Sequence, residues 1–80
     1  MDYHWSTQPE VVESLLLIKH RKRRALIDYF YKIADNHVRE AKETYLDKSG
    51  VEISVTYFDK WVISYSVDDP IKEVRILSID

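Results

Sequence analysis

Lysine, arginine and histidine fill six consecutive positions, Lys19-His20-Arg21-Lys22-Arg23-Arg24. The run holds five of the chain's twelve Lys and Arg, in a protein of 80 residues with fourteen Asp and Glu and net charge −2. Cations gathered this way suit three tasks: contacting nucleic-acid phosphates, receiving an acidic segment of a partner protein, or solvating a bend. No aromatic residue interrupts the run, so the stacking platform of a single-strand binder is absent. An acidic protein segment is therefore the favoured ligand for Lys19, Arg21, Lys22, Arg23 and Arg24, with nucleic acid second. Lys60, Lys72 and Arg75 offer a second basic group. Lys60 and Lys72 fall at turns, whereas Arg75 lies inside a strand and is the best single candidate for a phosphate contact. Tyr57, Trp61 and Tyr65 read as core or interface aromatics.

Other chemistries lack their residues. His4, His20 and His37 have no metal-ligand spacing, and His20 as a general base needs an orienting carboxylate that the sequence does not reveal. The chain has no Cys, which removes disulfides, thiolate metal sites and a cysteine nucleophile. No glycine-rich phosphate loop, Ser-His-Asp order or paired-carboxylate motif is present. The expectation is no metal and no small-molecule cofactor.

Eighty residues fit one small domain, spanning 1–80, with a modest core. At 45% apolar and 32% charged residues, with one Gly and two Pro, the composition is that of a folded globular domain. The opening MDYHWSTQ has no signal-peptide pattern. Leu15 to Ile18 is too short an apolar run to span a membrane. The expected location is the cytoplasm, with no membrane partner.

The elements that must position these side chains follow from periodicity. Tyr3 and Trp5 suggest a short strand. Thr7-Gln8-Pro9-Glu10 resembles a capping box with Pro in the first turn, and Val11, Val12, Leu15, Leu16 and Ile18 give one helical face. Leu26, Tyr29, Phe30 and Ile33, extended by Ala34 and His37, give a second. One helix through residues 19–24 would turn cations onto the apolar face, so a break near His20-Arg21 is expected, making a helical hairpin over roughly 8–45. Lys19 then ends the first helix, and Lys22, Arg23 and Arg24 enter the first turn of the next. The macrodipole opposes cations there by about 0.3–1 kcal/mol each. Near Gly50, a natural helix terminator, the period changes to two. Val51, Ile53, Val55 and Tyr57 alternate with Glu52, Ser54 and Thr56, then Trp61, Ile63, Tyr65 and Val67 with Val62, Ser64 and Ser66. Asp59-Lys60 and Asp68-Asp69-Pro70 are turns, and Val74 to Ile79 is a strand suited to burial on both faces. The fold class is α+β, in the order β-α-α-β-β-β, with a helical hairpin on a mostly antiparallel sheet.

Three stretches, YHWSTQPEVVESL, the basic elbow and WVISYSVDDPIKEVRIL, resemble the RelE/ParE superfamily, the toxins of type II toxin–antitoxin modules. The resemblance spans nearly the whole chain. It implies a toxin of the plasmid-stabilisation kind, neutralised by a cognate antitoxin and directed at a macromolecular target such as gyrase or the ribosome. In the ribosome-dependent RNases of the superfamily, arginines on the second and third strands flank the scissile phosphate. Glu52, Ser54 and Val62 stand at those places here, and neither carboxylate nor valine stabilises a phosphoryl transition state. The resemblance also implies a basic, aromatic tail after the last strand, where this sequence reads Ile79-Asp80. A toxin that works by binding is the expectation. The alternatives are an mRNA endonuclease with a non-standard set, Arg75, Lys60 and Tyr65, and a non-toxic interaction domain.

Overall fold

Alternating aromatic and polar residues at the N-terminus do form a strand, β1 (His4–Thr7). In the computed structural model, which describes residues 2–80, it is followed by α1 (Pro9–Leu16), α2 (His20–Asp35) and α3 (His37–Glu40). Four strands complete the chain: β2 (Glu43–Leu46), β3 (Glu52–Phe58), β4 (Trp61–Asp68) and β5 (Glu73–Ile79). They form one five-stranded sheet in the order β1-β5-β4-β3-β2. Only the β1–β5 pair is parallel. The α+β class, the helix pair and the mostly antiparallel sheet are as the periodicity suggests.

Local details depart from the sequence reading. Thr7 is no helix cap: it stays in β1 opposite Ile76, and Gln8 takes the N-cap position without a side-chain bond. The helix break lies at Leu17–Lys19, earlier than expected, so Lys19 begins α2 instead of ending α1. Helix does not continue to residue 45. Asn36 interrupts it, α3 lasts four residues with His37 at its start, and Glu43–Leu46 is strand. Gly50, at φ 81°, closes the β2–β3 turn and ends no helix. Asp47 organises that turn by accepting the amides of Ser49 and Val51 at 2.8 and 2.9 Å.

The core lies between the helices and one sheet face. Val11 and Leu15 of α1 and Leu26, Tyr29, Phe30 and Ile33 of α2 pack on Ile63 and Tyr65 of β4 and Val74, Ile76 and Ile79 of β5. Trp5 of β1 closes this layer against Phe30, with ring centroids 5.3 Å apart. The opposite face of β5 has no helix over it and carries exposed Arg75, so that strand is covered on one side, not two.

β3 reverses its apolar and polar sides relative to the sequence reading. Thr56 is fully buried and bonds the Tyr29 hydroxyl at 2.8 Å, while Phe58 stacks on the Tyr29 ring at 4.6 Å. Ser54, Thr56 and Phe58 therefore face the helices, and Ile53, Val55 and Tyr57 face away. The fully buried Thr56 hydroxyl is tolerated because it is hydrogen-bonded. Tyr29 gives its one proton to Glu40 at 2.7 Å, so Thr56 must be the donor in its bond to Tyr29. Ser54 faces Tyr65 across the β3–β4 pair, and Tyr65 donates to the His37 carbonyl at 2.5 Å. Two tyrosines thus hold α3 against β3 and β4.

Burial, then the neighbouring Tyr29 and Glu40, pushes the Tyr65 hydroxyl up to about 12 from 10.0, against a lowering bond from Ser54. A pKa raised by folding stabilises the protonated native state fully below pH 10, and that contribution is lost as pH climbs towards 12. Urea denaturation should show stability falling across this window. Tyr65→Phe should be less stable at pH 7 by about 1–2 kcal/mol yet show a shallower alkaline loss.

Candidate functional site

The sheet face turned away from the helices has no helix over it, although Ile53 and Val55 on it are buried, and it is the first place to look for chemistry. Cross-strand pairing assigns its residues: Val62 lies opposite Tyr57, Ser64 opposite Val55 and Ser78, and Ser66 opposite Arg75. Paired residues share a face, so Ile53, Val55, Tyr57, Val62, Ser64, Ser66 and Arg75 lie together there. Glu52 and Ser54 lie on the other side. Glu52, Ser54 and Val62, expected from the sequence at the places of the RNase arginines, are therefore split between faces, since a shift of one residue exchanges the two sides of a strand. The β3 positions that share Val62's face are Ile53, Val55 and Tyr57, all uncharged.

Arg75 is the single Lys or Arg in the five strands. Its guanidinium Nη2 lies 2.8 Å from Glu73 Oε1, and His4 Nε2 is 3.6 Å from the other oxygen of the same carboxylate. The only strand cation is thus already paired with an anion on its own strand. Tyr57 is likewise engaged, donating to Glu43 at 2.7 Å. The set Arg75, Lys60 and Tyr65 is not brought together. Tyr65 is buried on the helix side, Arg75 is on the open side, and Lys60 sits at the β3–β4 turn with its ammonium 5.3 Å from the Trp61 ring. A phosphoryl transition state needs converging donors, and this face has none to spare. Among the described residues no group of His, Asp or Glu could hold a metal ion.

The basic elbow is a second candidate, and its cations divide by role. Lys22 reaches Asp59 in the β3–β4 turn at 2.9 Å. Arg23 folds back to donate to the Ile18 carbonyl at 3.1 Å, with its Nε buried and unbonded. Lys22 thus ties the elbow to the β3–β4 turn, and Arg23 braces the elbow from within. Lys19, Arg21 and Arg24 are exposed and form no ion pair among the described residues. The first turn of α2 holds no acidic residue and no capping side chain, so its amide dipoles and three free cations all point positive. Beside them Leu16 and Leu17 are 65% and 89% exposed, with Val12 also outside the core. The result is a cationic surface with an apolar border.

The sequence reading missed the anchoring of Lys22 and Arg23 and the neutralisation of Arg75. The second was legible in principle, because Glu73 and Arg75 are two apart in a strand and share a face. The tyrosine network had no such signal.

No family model and no curated protein matches this sequence. Solved structures do. The toxin–antitoxin complex RelBE2 of Mycobacterium tuberculosis aligns with TM-score 0.84 at 16% identity, covering 100% of this chain and 98% of that one. The archaeal RelE–RelB complex of Pyrococcus horikoshii aligns with TM-score 0.81 at 17% identity, covering 100% and 94%. The fold is that of the RelE toxins. At this identity the likeness concerns the path of the chain and not its side chains. A RelE-type fold here carries an open sheet face without free cations.

Substitutions in the elbow should separate the two kinds of cation. Arg23→Gln removes a bond to a carbonyl from a part-buried guanidinium and should cost about 1–2 kcal/mol. Lys19→Gln, Arg21→Gln and Arg24→Gln should each stay within about 0.5 kcal/mol. Chemical denaturation of the four variants measures this directly.

Proposed function

We propose that this chain is the toxin-like member of a toxin–antitoxin pair, acting by binding a macromolecular target and not by cutting RNA. The fold shared with RelE-containing toxin–antitoxin complexes supports the pairing. The observation that carries the absence of RNA cleavage is the single strand cation, Arg75, held at 2.8 Å by Glu73. Gyrase and the ribosome are target classes compatible with binding alone, and both place the protein in the cytoplasm. The antitoxin contributes an acidic segment that docks on Lys19, Arg21 and Arg24, its apolar side chains meeting Leu16 and Leu17. Lys22 and Arg23 contribute field at the same elbow while serving the fold.

Inducible expression tests the reading. Growth should arrest on induction and recover when the reading frame beside the gene is co-expressed. In a translating extract, primer extension on the message should show no cuts in the ribosomal A site. Cuts that disappear in Arg75→Ala would instead establish the nuclease, and unaffected growth would favour a non-toxic interaction domain.

Exposed ion pairs contribute only about 0–1 kcal/mol each, so the elbow acts through several together and through association rate. The triple variant Lys19→Gln, Arg21→Gln, Arg24→Gln should weaken antitoxin binding roughly tenfold at low salt. Its thermal midpoint should barely move, and the difference from wild type should fade as salt rises.

A further inference from the structure

The far end of α2 from the basic elbow carries a groove of opposite character. It lies between α3 and the β2–β3 hairpin, encloses about 280 Å³, and is lined by His37, Val38, Val51, Glu52, Val67 and Asp69, among others. Val38 is 81% exposed and Val51 46%, and Leu46 of neighbouring β2, opposite Glu52, is exposed as well. Large apolar side chains gathered at one place on a small domain mark an interaction surface. The charge there is negative. Neither Glu52 nor Asp69 has an ion-pair partner among the described residues. The Asp69 carboxylate accepts only the Tyr3 hydroxyl, and Lys72 lies over the Tyr3 ring at 5.1 Å instead of entering the groove. His37 adds a buried Nδ1 with no hydrogen-bond partner.

The strand beside this groove says what shape the occupant has. β2 is a sheet edge. Asp47 donates its amide to Val51 at 2.9 Å, which turns the backbone groups of odd-numbered β2 residues towards β3 and leaves those of Thr44 and Leu46 facing outward. An edge of this kind accepts an extended segment. In the antiparallel register that pairs Thr44 with Leu46 of a second copy, Glu43 stands against Asp47 twice, and like charges directly opposite are unfavourable. The unpaired carboxylates of the groove, Glu52 and Asp69, favour a basic segment.

We propose that this groove, with the free edge of β2, docks an extended basic and apolar segment of a protein partner. The aliphatic stem of a Lys or Arg lies against Val38 and Val51, as long cationic side chains do on apolar surface, and its head meets Glu52 and Asp69. This surface is separate from the elbow, across the 16 residues of α2, a span of roughly 24 Å. It does not depend on the toxin reading.

Titration of isotope-labelled protein with a ten-residue peptide alternating arginine and valine tests this by amide chemical shifts. Saturable shifts at Val38, Thr44, Val51 and Glu52 are expected. Glu52→Gln with Asp69→Asn should weaken binding at least tenfold. The asparagine oxygen still accepts from Tyr3, and the exposed Glu52→Gln alone serves as a second variant that leaves the fold intact. The elbow triple variant should bind the peptide as wild type does. The proposal is overturned if spermine alone reproduces the shifts, if an alternating glutamate and valine peptide binds equally well, or if the amide variants keep full affinity.

Discussion

The Tyr29 hydroxyl, bonded by Thr56 on one side and bonding Glu40 on the other, is the interaction on which this small domain's arrangement turns. It buries a polar position of β3 beneath α2, where an aliphatic side chain would ordinarily pack. Once Thr56 points at the helices, strand alternation sends Ile53, Val55 and Tyr57 to the open side. The Asp59–Lys60 turn, with Asp59 at φ 55°, carries the same register into β4 and places Val62 there too. A slip of one residue would exchange every one of these positions, so a single buried hydroxyl pair helps decide what the open face offers a ligand. Tyr65 reinforces the arrangement from β4 by holding the His37 carbonyl.

Charge is correspondingly displaced from the sheet to the ends of α2. At its start, free cations add to the positive end of the helix dipole, an arrangement that folding alone does not favour. Past its end, around α3 and β2, carboxylates and exposed valines surround a groove. The sheet between them offers no free cation, because Glu73 answers Arg75 and the other charged strand residues, Glu43, Glu52 and Asp68, are carboxylates. A domain with this distribution is suited to holding segments of other chains at two separated places. It is poorly suited to gathering phosphates on its sheet, where association with RNA depends on accumulated cation contacts.

Much of this was legible in the sequence where periodicity was strong. Leu26, Tyr29, Phe30 and Ile33 announced the buried face of α2, and Ile63 and Tyr65 that of β4, because apolar spacing of 3.6 and 2 leaves little freedom of interpretation. β3 misled because its apolar residues alternate cleanly yet face away from the helices. Pairing between Thr56 and Tyr29, 27 residues apart, leaves no local trace. β2 was hidden for another reason. Glu43–Leu46 is exposed on both sides, so no buried stripe distinguishes it from the end of a helix. The elbow was visible as a charge cluster, but its division into anchoring and free cations depends on the Ile18 carbonyl, a backbone group with no sequence signature, and on Asp59, 37 residues from Lys22.

The central claim is that the open sheet face does not engage RNA, and amide chemical-shift mapping with a short non-cleavable single-stranded RNA addresses it most directly. The account predicts no saturable change at Ile53, Val55, Ser64, Ser66 or Arg75 at moderate salt, with any weak, salt-sensitive response confined to Lys19, Arg21 and Arg24. Saturable shifts across those five sheet residues, retained as salt rises, would contradict it.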